Sequence, residues 1–196
     1  MLAIPDACAD LLFREARTAE RFTDEPVTDR LLEEIWDLVK WAPTSASQSP
    51  GRLLLVRSPQ ARERLVAHMS EGNRAKTLAA PLTVVTAADT RFHERWALLA
   101  PERSEAAARL EGDPDARLRL ATMGATLQTA YLILGVRAAG LAAGPMGGFS
   151  REGVDGEFFA DGAWRSLLVI NIGRPERDEQ RPRIPRIAFA DVSRVV

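Results

Sequence analysis

A chain of 196 residues, 46% hydrophobic and 27% charged, has the composition of one folded domain and excludes a disordered, collagenous or fibrous polymer. Its 26 Lys plus Arg against 27 Asp plus Glu give a formal net charge of −1, so no overall field draws in nucleic acid or an anionic membrane. The single cysteine, Cys8, excludes an intramolecular disulfide framework, and with only His68 and His93 as further soft ligands no metal site is expected.

The N-terminal stretch meets acids at Asp6 and Asp10 and lacks the apolar run of a secretory signal, and no segment approaches the roughly 20 apolar residues of a spanning helix. A cytoplasmic chain with no membrane and no nucleic-acid partner is expected. Without repeats or a Ser/Gly linker, residues 1–196 read as a single domain. In chain order, residues 6–16 read as helix. Residues 28–41 do so more strongly, because Leu31, Leu32, Ile35, Leu38 and Val39 share one face behind a Thr28 cap. The run 44–51 is a polar loop, since its hydroxyls compete with the backbone and Pro50-Gly51 breaks any regular element. Residues 52–57 read as a buried strand, followed by a Ser58-capped helix with Pro59 at its first position, running to about Met69. Residues 82–87 form a second, β-branched strand. The segment 90–111 is helical in propensity but irregular. A long helix then runs from Asp113-Pro114 to about Ala139, closed by Gly140 and carrying small residues at Ala121, Gly124, Ala125 and Gly135. An extended piece (141–145), a turn at 147–148, a helix (150–160) and a strand (167–172) follow. Residues 174–196, with three prolines and six arginines, cannot build a core of their own and must lie on another surface, such as a partner subunit.

The common catalytic templates are absent: there is no G-x-G-x-x-G after a strand, no P-loop, no G-x-S-x-G and no H-E-x-x-H. No residue stands out as a nucleophile or general base. What the chain offers instead is a set of polar loops suited to a phosphorylated planar ligand. Arg17-Thr18 supplies a guanidinium fork and a hydroxyl. The loop 43–50, with Ser45 and Ser47, supplies neutral donors and acceptors that match ring heteroatoms. Asn73 and Lys76, three apart, share a face of a helical turn. They also stand out because the chain holds only two Lys and two Asn. Around Pro145, Met146 and Gly147 the lack of branched side chains lets a flat ring approach the backbone. Each of these is also compatible with a plain turn, cap or solvated pair.

The succession ART (16–18) and FTDEPVT (22–28), KWAPTSASQSP (40–50), EGNRAKTLAAP (71–81), GLAAGPMGGF (140–149) and NIGRP (171–175) resembles the flavin-dependent nitroreductase family, over about residues 10–190. Among its branches the chain is most similar to the malonic semialdehyde reductase-like one. The resemblance implies an α+β, three-layer FMN-binding fold with a mainly antiparallel central sheet flanked by helices. It also implies a homodimer with FMN at the subunit interface. By the same resemblance NADH or NADPH is the electron donor, and a small molecule such as malonic semialdehyde or a nitro or quinone compound accepts hydride in a ping-pong cycle. It places Arg17 and Thr18 on the FMN phosphate, Ser45 and Ser47 along the ring or ribityl chain, and Asn73 and Lys76 at the pyrimidine edge. Pro145, Met146 and Gly147 fall over the ring, and Arg174 on the phosphate side. The chain departs from the family pattern at Ala16, Glu20, Ser47 and Gly51, which leaves Arg174, Arg183 and Arg186 as alternative partners of Arg17. A flavin-binding protein with little turnover and a scaffold for another phosphorylated ligand remain the other readings of these residues.

Overall fold

The computed structural model describes residues 2–176 and 183–196. Four strands form one wholly antiparallel sheet in the order β1-β2-β4-β3: β1 Gly51–Val56, β2 Leu82–Asp89, β3 Ala142–Met146 and β4 Trp164–Gly173. All eight residues of β2 are buried, because helices cover both faces of the sheet.

Strand alternation sends Leu82, Val84, Ile170, Ile172 and Ala143 to one face. There they meet helix α2 (Asp29–Val39) through Ile35, and helix α7 (Pro114–Ala138) through Leu132 and Val136. Val56, Val85, Val169 and Met146 point to the other face and pack against Leu65 of α3 (Pro59–Ala67) and Val154 of α8 (Arg151–Phe158). A three-layer α+β domain results, as the resemblance implies.

The expected caps are in place: Thr28, Ser58 and Asp113 accept from the backbone amides of Leu31, Ala61 and Ala116. Gly140, at φ 72°, ends α7 in a Schellman turn, with Gly140 N donating to Arg137 O and Leu141 N to Val136 O.

Three local readings change. The first helix is α-helical only over Asp6–Ala9 (α1) and then widens to a π turn at Asp10–Arg14, where Glu15 N reaches Asp10 O at 2.9 Å. Arg14 draws the turn in by pairing with Asp6 and Asp10, so the helix stops before Ala16. Residues Glu71–Ala79 form a full helix, α4, and the irregular region resolves into short turns: a 3-10 turn at Phe92–Arg95, α5 (Trp96–Leu99) and α6 (Ser104–Glu111). Phe92, Trp96 and Ala100 dock this excursion on Ala121 and Ala125 of α7. The tail ends in a short α9 (Phe189–Val192). Among the described residues no helix is long and apolar enough to cross a membrane.

Candidate functional site

The stretch after the π turn runs along the outer edge of β3. Ala19 O occupies the space a Cβ on Gly144 would need, 2.6 Å away, and Phe22 bridges Pro175 just beyond β4. This places Arg17 in a basic corner. Among the described residues its Nη1 makes only long contacts, to Arg14 O (3.5 Å) and Ala16 O (3.4 Å), and its buried Nε has no partner. Arg183 enters from the tail and donates to the carbonyls of Phe13, Arg14 and Ala16. Arg137, in the last turn of α7, donates to Leu12 O at 2.9 Å. Burial, followed by the charge of Arg183, lowers the Arg137 pKa. Among the described residues no carboxylate hydrogen-bonds or ion-pairs with any of the three guanidiniums. Such a concentration of positive charge suits an anion, above all one with several acceptor oxygens. Thr18 is exposed beside it.

Arg174, unlike these three, is paired with a carboxylate. Its guanidinium grips Glu25 through two bonds, Nε to Oε2 at 2.5 Å and Nη2 to Oε1 at 3.0 Å, and that contact holds the Glu25 carboxyl below its usual range. Arg186 bonds to its own neighbouring carbonyls at Ile184 and Pro185.

A second group sits where α4 meets the end of β3. Asn73 Nδ2 donates to Gly148 O (3.1 Å), and Ser70 N reaches the same oxygen at 2.9 Å. These bonds stitch the start of α4 to the turn after β3. Further along α4, Asn171 Nδ2 donates to Lys76 O (3.2 Å) and Thr77 Oγ1 (3.3 Å), while Thr83 Oγ1 donates to Asn171 Oδ1 (2.9 Å). The buried Asn171 is thus satisfied at both ends of its amide and fixes the height of α4 over the sheet. Lys76 is half-buried, and its ammonium has no hydrogen bond or ion pair among the described residues. Met146 turns its side chain into the core with Val85 and Val169, so only its backbone borders the surface. Gly147 is exposed, and a Cβ there would meet nothing closer than 3.9 Å.

The serine loop forms a third group. Ser45–Ser47 make one 3-10 turn, and Ser47 (φ 52°) and Ser49 (φ 43°) are the only described non-glycine residues with positive φ. Each costs about 1–3 kcal/mol, so the surroundings must impose the shape. Gln48 is buried against Gly124 of α7, with its Oε1 unpaired, and Gly51 N donates to Gln128 Oε1 at 2.7 Å. Arg52 Nη1 donates to Ser49 O (2.9 Å) and Gly51 O (2.8 Å), while its Nη2 pairs with the buried Asp89. Burial lowers the Arg52 pKa, and Asp89 opposes that shift.

The structure therefore brings Arg17, Thr18, Asn73, Lys76, Pro145, Met146 and Gly147 to the β3 edge. It leaves Ser45 and Ser47 at the start of β1, the opposite edge strand. Three strand spacings, about 14 Å, separate the two edges. Arg137 was not picked out from the sequence; the one available signal is a cation in the last turn of a largely apolar helix. The clamp formed by Arg52 and Asp89 left no sequence signal, because it joins residues 37 apart.

A model of the nitroreductase family matches residues 13–174. A Streptomyces coelicolor protein assigned as an NADH dehydrogenase/NAD(P)H nitroreductase is 55% identical over 191 residues, covering 97% of both chains. A Rhodopseudomonas palustris protein assigned in the same way is 44% identical, covering 98% of both. Among solved structures, a Bacillus subtilis nitroreductase has a TM-score of 0.81 at 20% identity, covering 98% of this chain and all of that one. A nitroreductase from Exiguobacterium sibiricum, solved in complex with FMN, also has a TM-score of 0.81, at 16% identity and with 98% of each chain covered.

Proposed function

The chain belongs to the nitroreductase family, and from that premise we propose that it is an FMN-dependent NAD(P)H oxidoreductase of the cytoplasm. A small acceptor takes the hydride; malonic semialdehyde and nitro or quinone compounds are the candidates. One observation carries the reading: a corner of three guanidiniums, in which the buried Arg17 Nε has no acceptor among the described residues, lies beside a glycine-bearing edge where the Lys76 ammonium has no partner among those residues either. That set fits a phosphate at one end of a ligand and a flat, electron-accepting ring at the other.

Bound FMN supplies reversible two-electron chemistry, so the protein's task is placement and electrostatics rather than nucleophilic attack. Arg17 holds the phosphate, with Arg183 beside it to complete the corner and Thr18 as a hydroxyl donor. Arg174, which pairs with Glu25, is a further cation on the phosphate side. Asn73 and Lys76 face the polar edge of the ring, where the ammonium favours added negative charge. The backbone of Pro145, Met146 and Gly147 lets donor and acceptor lie flat in turn. Ser45 and Ser47, too far away within one chain, reach the ring from the other subunit of a homodimer. The exposed stripe Met123, Leu127 and Tyr131 on α7 and the apolar tail residues Ile184, Ile187 and Phe189 supply contact surface for that dimer.

The test is direct. The purified protein should be yellow, bleach on anaerobic addition of NADH or NADPH, and reoxidise fastest with its physiological acceptor in a screen of semialdehydes, enals, quinones and nitro compounds. A colourless protein whose melting temperature FMN does not raise would sink the reading. Flavin that NAD(P)H fails to bleach would leave a binding protein without turnover.

A further inference from the structure

The serine loop is bent into a shape its own residues do not favour, and few contacts within it oppose relaxation: Gln48 N to Ser45 O at 3.2 Å, and Ser49 N to Thr44 Oγ1 at 3.5 Å. The restraints come from outside. Gln128 takes the Gly51 amide, Asp89 N donates to Pro50 O at 2.8 Å, and the remaining two bonds, to the carbonyls of Ser49 and Gly51, both come from Arg52. The guanidinium is itself immobile. Its side chain is 16% exposed, and its other arm is locked on Asp89, which is 6% exposed and also accepts from Arg91 N at 2.8 Å. Arg95 Nε lies 3.7 Å from Asp89 Oδ2, and its side chain is 61% exposed.

We propose that Arg52, anchored by Asp89, is a positioning residue of the flavin site. It holds the Ser49 and Gly51 carbonyls and thereby the left-handed turn that presents Ser45 and Ser47 to the cofactor. The inference rests on the reading of the site given above. Its physical core is that a guanidinium can satisfy two converging carbonyls and a carboxylate at once, whereas the neutral side chains of the loop cannot. It predicts a specific rescue: glycine adopts positive φ without a Cβ penalty, so Ser49→Gly should relieve the need for the clamp.

The experiment titrates FMN into apo-protein, reading affinity by flavin fluorescence quenching and ring environment by visible circular dichroism. Arg52→Gln should weaken FMN by about fivefold or more and change the dichroism, the lower end of what releasing one strained residue is worth. Ser49→Gly alone should change affinity by less than about twofold, yet added to Arg52→Gln it should recover about threefold or more. Unchanged affinity and dichroism in Arg52→Gln would overturn the proposal, as would a loss that Ser49→Gly does not relieve, since Arg52 would then be a buried structural charge only. If Arg52→Gln does not fold, Arg52→Gln/Asp89→Asn, which leaves no unpaired buried charge, is compared with and without Ser49→Gly by the same criteria. Proteinase K cleavage of the apo-chain within 44–51 separates the two readings. Should the wild-type protein bind no FMN, the flavin reading fails; faster cleavage in Arg52→Gln would still uphold the clamp, and unchanged cleavage would overturn it.

Discussion

A buried guanidinium Nε costs free energy unless something accepts from it, and that of Arg17 has no acceptor among the described residues. A charge-assisted bond of this kind contributes about 1.5–3 kcal/mol, so Arg17→Ala should weaken FMN by about 10- to 150-fold, measured by fluorescence titration. Full occupancy after purification, with wild-type affinity, would remove Arg17 from the phosphate. Lys76 calls for a different measurement. Its ammonium has no partner among the described residues, so Lys76→Met should lower the flavin midpoint potential by tens of millivolts, 30 mV corresponding to about 1.4 kcal/mol for two electrons. FMN affinity should change less than in Arg17→Ala. A dye-coupled redox titration with an unaltered midpoint would assign tuning of the ring to backbone amides alone. Both residues were legible in the sequence because each carries its chemistry in its side chain. Asn171 was not: its work of holding α4 through Lys76 O and Thr77 depends on a strand passing beneath a helix about 95 residues away in the chain.

Helix α7 shows why small residues recur along it. A Cβ on Gly135 would lie 2.4 Å from Val39 Cγ1 and 3.1 Å from Ile35 Cγ2, so this glycine is what lets α2 approach. The β-branched neighbours have little rotamer freedom with which to yield. Gly135→Ala should therefore cost about 1–3 kcal/mol despite its better helix propensity. At this chain length that is a fall in Tm of roughly 2–12 °C by calorimetry. A second test concerns the excursion that begins at Phe92. His93 Nε2 lies 2.6 Å from Glu111 Oε2, joining its first turn to the end of α6, and Arg117 of α7 adds a contact at 3.3 Å. The bond to His93, then its charge and those of Arg117 and Arg91, hold the Glu111 carboxyl below the usual carboxylate range. A carboxyl depressed in the folded state stabilises above the unfolded value and loses that contribution as pH falls through the folded one. Proteolysis of 92–112 should thus accelerate as pH drops below about 4.5, with the acid-dependent step smaller in Glu111→Gln. Identical pH profiles would show that the contact does not latch the segment. From the sequence this stretch read as irregular because no single period runs through it. Its order comes from Phe92 and Trp96 seated on Ala121 and Ala125.

On the scale of the whole molecule, the residues expected to touch one ligand flank the two opposite edge strands of a single chain, and the proposed homodimer is what would bring them together. Sedimentation of the holo-protein at micromolar concentration should give twice the 21.5 kDa chain mass; a 21.5 kDa species alone would exclude a shared site. The sequence by itself determined whatever is local. Thr28, Ser58 and Asp113 announce helices because capping needs only neighbouring amides, and Gly140 announces an end because one residue must turn left-handed. Short apolar, β-branched runs announce β2 and β4 because one chain segment carries the whole signal. Tertiary structure alone decided the strand order, the pairing of Arg174 with Glu25, the arrival of Arg137 and Arg183 in the basic corner, and the clamp of Arg52 on a strained loop. Each of these joins residues distant in the chain, and a guanidinium chooses its partner by which carboxylate or carbonyl the fold delivers within about 3 Å, a distance that sequence spacing does not encode.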